Sequence, residues 1–231
     1  MKLERKLATT TRRLIDIKSD DAKIVEHFND GRNFTDVILR QINSEDLYGR
    51  WFDKKSHLKI LDLGGNVGLF ALHVIDCADQ IVTVEPTPDH LYILKQLVEP
   101  YKNITVVEAA LSPIDGDVSF YFNKENTTMN SIANNYGIGS IKVKGKTLKT
   151  ILDENGLDIV DFAKIDIEGS EMLALTAETI AAVEKRIKVW FIEVHSTSVP
   201  IEKNRQLLAY LFRVAGYNVE LVGHDSLHVW Q

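Results

Sequence analysis

A chain of 231 residues that is 45 % hydrophobic can bury a full core, and is sized for one domain with an extension. Its formal net charge of −6 argues against nucleic acid or an anionic membrane as a partner. The single cysteine, Cys77, excludes an intrachain disulfide. The stretch Met1-Lys2-Leu3-Glu4-Arg5-Lys6-Leu7 has no apolar core of signal-peptide length, and no segment reaches the roughly 20 apolar residues that a bilayer needs, so a cytoplasmic protein is expected.

In chain order, residues 1–57 read as an amphipathic N-terminal helical cap, with Leu3, Leu7, Leu14 and Ile17 and then Phe34, Val37, Ile38 and Ile42 near helical spacing. Residues 58–231 form the second unit, where short apolar runs alternate with helical stretches. The strands are predicted at 59–63, 80–85, 104–109, 163–167 and 188–194, an α/β pattern that implies a parallel sheet covered on both faces. Between the third and fourth lies an insertion in which 117–122 and 140–143 alternate like antiparallel strands, flanking a polar loop that could cover a site. A short helix is predicted over 147–157. A longer one follows over 200–215, with Leu207, Leu208, Leu211 and Phe212 on one side. Segments 217–222 and 227–230, joined by Gly223-His224-Asp225-Ser226, read as an antiparallel pair at the sheet edge.

Lys59 to Phe70 reads as a buried strand entering a helix through a glycine turn, Asp62-Leu63-Gly64-Gly65-Asn66-Val67-Gly68, which is the form of a nucleotide-type cofactor cradle. A dinucleotide fingerprint aligned on Gly65 and Gly68 puts Leu63 where its first glycine belongs. Asp62 would also repel a diphosphate. It suits a ligand that carries an ammonium and a sulfonium, such as S-adenosylmethionine. Ligands of open parallel sheets bind beyond the carboxyl ends of the strands. All five predicted strands deliver acids there: Asp62, Glu85, Glu108, Asp166 with Glu168, and Glu193 followed by His195. Clustered carboxylates repel one another, so a ligand or cation that offsets the repulsion is expected. Glu85 is placed to accept from both hydroxyls of a ribose, and Thr87-Pro88 reads as a helix cap and first turn.

Five blocks then fall in one order: the glycine turn, Val84-Glu85-Pro86, Glu108-Ala109-Ala110-Leu111-Ser112, Lys164-Ile165-Asp166-Ile167-Glu168-Gly169-Ser170-Glu171, and Glu193-Val194-His195. With Thr147 to Leu152 preceding the fourth block, the chain resembles FkbM-type methyltransferases over roughly residues 58 to 195. Thr176 departs from that family, which usually has glycine there. The resemblance implies a Rossmann-like class I methyltransferase fold: a mostly parallel seven-stranded sheet with an antiparallel edge strand, an inserted β-hairpin and the N-terminal helices. It implies an S-adenosylmethionine-dependent enzyme that methylates a hydroxyl of a small polar acceptor, a sugar or glycosylated natural product. Asp62, Gly64, Gly65, Asn66 and Gly68 would hold the methionine end, Glu85 with Pro86 the ribose, and Glu108, Ala109 and Ala110 the adenine region, with Asp166 bordering the cofactor.

Transfer to an alcohol needs a group that takes the hydroxyl proton. His195 is the candidate base, and Asp166, Glu168 and Glu193 are expected to face the acceptor. A metal bridged by Asp166, Glu193 and His195 is chemically feasible, but the spacing does not demand one and none is expected. The polar loop around Thr127 to Ser131 is a further candidate for acceptor contacts. Two other readings stay open: an NAD-linked dehydrogenase, which Leu63 and Asp62 oppose, and a cofactor-binding partner without catalysis, which the Glu193-Val194-His195 block opposes.

Overall fold

The computed structural model describes Phe52 and residues 57–122, 130–135 and 139–231. The predicted N-terminal helices lie outside the described residues, as do Thr127, Thr128 and Met129 of the polar loop.

The first strand, β1 (Leu58–Leu63), leads through the glycine turn into α1 (Leu69–Val74) and, by a short 3₁₀ turn, into β2 (Ala78–Val84). Helix α2 (Pro88–Val98) and β3 (Ile104–Val107) follow. The insertion contributes β4 (Ala110–Leu111), β5 (Gly116–Tyr121) and β6 (Ser140–Lys146). Next come α3 (Leu148–Glu154), β7 (Phe162–Ile165), the short helices α4 (Glu171–Ala174) and α5 (Ala177–Ala182), and β8 (Val189–Glu193). Helix α6 (Ile201–Val214) precedes β9 (Asn218–Val222) and β10 (Ser226–Trp230).

Seven strands form one sheet in the order β3-β2-β1-β7-β8-β10-β9. The first five in that order run parallel, and β10 is antiparallel to both β8 and β9. The last two strands thus make the expected antiparallel pair at the edge, and the later one lies inside. The insertion is a separate sheet, β4-β6-β5, in which β5 and β6 are antiparallel as expected and β4 adds a two-residue parallel strand that the sequence pattern did not indicate.

The apolar runs are continuous because both faces are covered, and alternate residues serve opposite cores. Leu61, Leu63, Ala163, Ile165, Trp190 and Ile192 pack against α3, α5 and α6, whereas Ile60, Ile81, Phe162 and Phe191 pack against α1 and α2. Phe52 joins the second core, its ring centroid 4.7 Å from that of Phe162. On α6, Leu208 and Phe212 are buried but Leu207 is exposed, so the buried stripe is narrower than the spacing of leucines indicated.

Asp62 has the parity of Ile60, and the parallel register sets it beside Thr83 of β2 and Lys164 of β7. A polar row, Thr83-Asp62-Lys164, therefore crosses three adjacent strands inside an apolar face. The chain leaves β1 towards β2 and β3 and later returns on the other side to β7. Ligands of such sheets occupy the crevice at that reversal of strand order, outside the carboxyl ends of β1 and β7.

Candidate functional site

The glycine turn is shaped first by the sheet beneath it. The backbone N–H groups of Gly64 and Gly65 both donate to the Val84 carbonyl, at 3.0 and 2.9 Å, which folds the turn over the end of β2. A β-carbon on Gly64 would stand 1.8 Å from the Asp166 carbonyl oxygen, one on Gly65 2.0 Å from Thr83 Oγ1, and one on Gly68 2.6 Å from Leu94 Cδ1. Gly64 and Gly65 are thus required by close packing, and Gly68 by its left-handed backbone, φ +88°, more than by the flexible Leu94 tip. The Asn66 N–H donates to Glu85 Oε2 at 2.8 Å and the Thr87 N–H to Glu85 Oε1 at 2.8 Å. Buried Glu85 thus ties the glycine turn to the start of α2, and His90 Nδ1 stands 3.5 Å from its Oε1. Burial alone would raise its pKa, but His90 and Thr87 outweigh that and hold it below the usual carboxylate range. Thr87 occupies the N-cap position of α2 without a side-chain cap bond, because its hydroxyl serves Glu85 instead.

Asp62 is wholly buried. Its Oδ2 accepts from Thr83 Oγ1 at 2.9 Å, and its Oδ1 has no hydrogen-bond partner. Lys164 Nζ lies 3.7 Å from that oxygen, 3.2 Å from Asp166 Oδ2 and 3.4 Å from the Gly64 carbonyl. Burial lifts the Asp62 carboxyl to about 6 against the opposing pull of Lys164. A carboxylate with an orphaned oxygen below the turn fits a ligand bearing an ammonium and a sulfonium, and opposes a pyrophosphate.

At the end of β3, Ala109 and Ala110 are buried, whereas Glu108 is exposed and pairs with Lys95. The carboxylate of Glu108 therefore does not join the others, and Ala110 continues into β4 beside Gly145 of β6.

Strand β7 ends at Ile165, so Asp166 and Glu168 stand in the turn that follows and not in extended backbone. Glu168 has φ +54° and Gly169 φ +92°, and this tight turn, not strand alternation, brings both acids to one place. They meet the end of β8, where His195 Nε2 lies 3.5 Å from Glu168 Oε2, 3.8 Å from Asp166 Oδ1 and 3.8 Å from Glu193 Oε1. Glu171, in the first turn of α4, is wholly buried and completes the group. Its Oε1 accepts from His195 Nδ1 at 3.0 Å and from the N–H groups of Ile167 and Gly169 at 3.1 and 3.2 Å. Glu171 and Lys164 both stand in the fourth sequence block but are not among the site residues that the sequence pattern indicates. The available signals were the helix-opening position of Glu171 and the shared parity of Lys164 with Asp62.

Burial and neighbouring charges together set the ionisation of the group. Asp166 stays below its usual range because Lys164 and His195 outweigh its burial. Glu168 is raised to about 8, chiefly by burial, and Glu193 to about 8, chiefly by the charge of Asp166. Burial would lower the imidazole pKa, but the Glu171 bond and the neighbouring carboxylates carry His195 well above 6.5. An imidazolium has no lone pair with which to take a proton. His195 could act as a base only after losing the proton that the neighbouring carboxylates favour, so it and those carboxylates form one proton-sharing unit.

This unit opens on a cavity of about 720 Å³, lined in part by Asn134, Glu193, Thr197 and Asp225. The insertion closes one side of it. Ser131 Oγ is 3.1 Å from Ser170 Oγ, the Ile132 N–H donates to Ser170 Oγ, and Asn134 Nδ2 donates to the Glu168 carbonyl. The Ser131 hydroxyl is therefore engaged with the β7–α4 turn.

The model of the methyltransferase FkbM domain matches residues 62–219, from Asp62 of the cradle to the last strand pair. The chain belongs to the FkbM methyltransferase family. Its fold overlays a crystal structure of methyltransferase FkbM from Methylobacillus flagellatus KT with a TM-score of 0.53 at 16 % identity, covering 98 % of this chain and 58 % of that one. The present FkbM chain thus spans little more than half the length of that relative. Lower-scoring overlays include precorrin-6y C5,15-methyltransferase from Geobacter metallireducens GS-15, with TM-score 0.49 and 15 % identity over 83 % of this chain and 85 % of that one. Another is Aeropyrum pernix fibrillarin with natively bound S-adenosyl-L-methionine, with TM-score 0.46 and 14 % identity over 76 % of this chain and 66 % of that one. No curated protein sequence matches the chain significantly.

Proposed function

We propose that this FkbM-family chain is an S-adenosylmethionine-dependent O-methyltransferase acting on a hydroxyl of a small polar acceptor, a sugar or glycosylated natural product. The observation that carries the reading is the sharing of Asp166 between two sites. Its backbone carbonyl underlies Gly64 of the cradle, and its carboxylate stands 3.8 Å from His195 in the acceptor-side unit. A group held in the cradle and a group held in the cavity would therefore meet at the end of β7, which is the proximity a two-substrate transfer needs.

When bound, S-adenosylmethionine supplies a methyl group on a sulfonium, open to attack by oxygen. Asp62 would face its ammonium, Glu85 its ribose hydroxyls, and Ala109 with Ala110 the adenine side. Whichever member of the His195, Glu168 and Glu193 group is unprotonated would take the acceptor's hydroxyl proton, with Glu171 holding the imidazole in place. Hydroxyl and amide groups of Asn134 and Thr197 would bind a polyol.

Thermal-shift comparison tests the cofactor: S-adenosylhomocysteine is expected to raise Tm and NAD to leave it unchanged. Stabilisation by NAD alone would sink the reading in favour of a dehydrogenase. Transfer of labelled methyl to a panel of sugars and glycosylated natural products tests the acceptor. Cofactor binding with no transfer to any of them would favour a non-catalytic binder.

A further inference from the structure

His195 presents two unlike faces. Its Nδ1 donates to Glu171 in a normal hydrogen bond of 3.0 Å, while Nε2 faces Glu168, Asp166 and Glu193 at 3.5, 3.8 and 3.8 Å. All three separations are too long for hydrogen bonds. They suit neighbouring ligands of one ion, since metal–ligand bonds of about 2.0–2.5 Å put ligand atoms about 2.9–4.2 Å apart. One liganding atom from each of Asp166, Glu168 and His195 lies within 4.8 Å of the others.

A second observation points the same way. Glu171 is wholly buried, is aimed at the imidazole, and its Oε2 has no hydrogen-bond partner. A buried carboxylate with an oxygen left over is incompletely compensated by its neighbours, the His195 imidazole included. Lys164 Nζ is 3.2 Å from Asp166 and is shared with Asp62, so a cation bound at Nε2 would take the place of the protons that His195, Glu168 and Glu193 otherwise hold between them. A carboxylate on Nδ1 of a histidine is also the support that fixes such a ring as a ligand through Nε2.

We propose that Asp166, Glu168 and His195 bind a divalent cation of the magnesium or manganese class on the wall of the 720 Å³ cavity, with Glu171 as the positioning residue for the imidazole. Sequence spacing alone gave no reason to expect a metal; the distances about Nε2 do. Carboxylate oxygens with one imidazole select a hard ion, and the remaining coordination positions open towards the cavity. There the ion would bind the acceptor's oxygen and ease loss of its proton, a role that rests on the methyltransferase reading, whereas ion binding does not.

Mn²⁺ titration of the full chain without any methyl donor, followed by the electron paramagnetic resonance of free Mn²⁺, tests the site. The expected result is one ion bound per chain. Asp166→Asn and Glu168→Gln should each weaken it at least about tenfold, and Glu171→Gln about 10- to 100-fold without removing a ligand. Circular dichroism melts check that each variant is folded, and Asp166→Asn alters the most exposed of the three acids. The absence of bound Mn²⁺ on folded wild-type protein, or binding that neither Asp166→Asn nor Glu168→Gln changes, would overturn the site. Stabilisation by S-adenosylhomocysteine is measured in parallel. If it occurs without Mn²⁺ binding, the ion site fails and the function stands; Mn²⁺ binding without it supports the site and removes the function.

Discussion

A β-carbon on Gly64 would overlap the Asp166 carbonyl at 1.8 Å in a backbone with φ +89°, whereas one on Gly156, at φ +63°, would meet nothing within 4 Å. Left-handed backbone costs a non-glycine residue about 1–2 kcal/mol, and forced overpacking about 1–3 kcal/mol more. Gly64→Ala should therefore lose about 3 kcal/mol or fail to fold, and Gly156→Ala only about 1 kcal/mol, as read by urea denaturation. Equal losses would show that the Asp166 contact is not a constraint. Asp62 sets a pH dependence. Its folded pKa of about 6 exceeds the 3.8 of an unperturbed aspartate, so between those values the folded state binds the extra proton. The contribution of Asp62 to stability is thus full below about pH 4 and lost as pH rises through about 6. Binding of an ammonium-bearing ligand follows the opposite course, because it needs the carboxylate. The affinity for S-adenosylhomocysteine should rise about tenfold from pH 5 to pH 7 by calorimetry, and Asp62→Asn should flatten that slope. The acids at the strand ends could be read from sequence because a buried run followed by a carboxylate is a local pattern. The roles of Lys164 and Glu171 could not, since they arise from cross-strand register and from a turn in left-handed backbone.

Helix ends show how far local chemistry reaches. Thr147 caps α3 by accepting from the Thr150 N–H at 3.2 Å, and its own N–H donates to Asp115 at 2.8 Å. Thr147→Ala removes the cap and leaves the Asp115 bond, so it should cost about 1 kcal/mol in urea denaturation with an unchanged m-value. A cost near zero would mean that packing of Leu148, Ile151 and Leu152 alone sets the start of α3. Thr176 is a parallel case. Where the family usually has glycine, Thr176 is the N-cap of α5 and accepts from the Thr179 N–H. The sequence pattern located each described strand of the main sheet within one or two residues because continuous apolar runs bounded by acids and turns are distinctive. It overextended β3 and β7, since Glu108, Asp166 and Glu168 follow strands without belonging to them. It missed β4, whose two residues pair with β6 only through the tertiary fold.

Across the whole molecule the sheet separates two functions. Trp190 faces the core formed with α6, where it packs on Phe212 and Tyr217 at centroid distances of 5.1 and 6.3 Å. Thr83, Asp62 and Lys164 share the opposite face and reach the crevice at the reversal of strand order. Parity along each strand is legible in sequence, but the strand order that aligns these three residues emerges only on folding. The separation predicts a crossed pattern of effects. Trp190→Ala empties a buried site and should cost about 3–5 kcal/mol, while affinity for S-adenosylhomocysteine stays within about twofold at temperatures where the variant is folded. Thr83→Val removes one hydrogen bond and should cost about 1 kcal/mol. It also strips the hydroxyl that favours the ionised form of Asp62, so the pH at which the ligand begins to bind tightly should move upward. Denaturation and calorimetry on both variants decide the point. If affinity falls in proportion to stability in each, the two faces act as one cooperative unit and the polar row has no binding role of its own; if the effects cross, the row is the part of the sheet that the ligand reads.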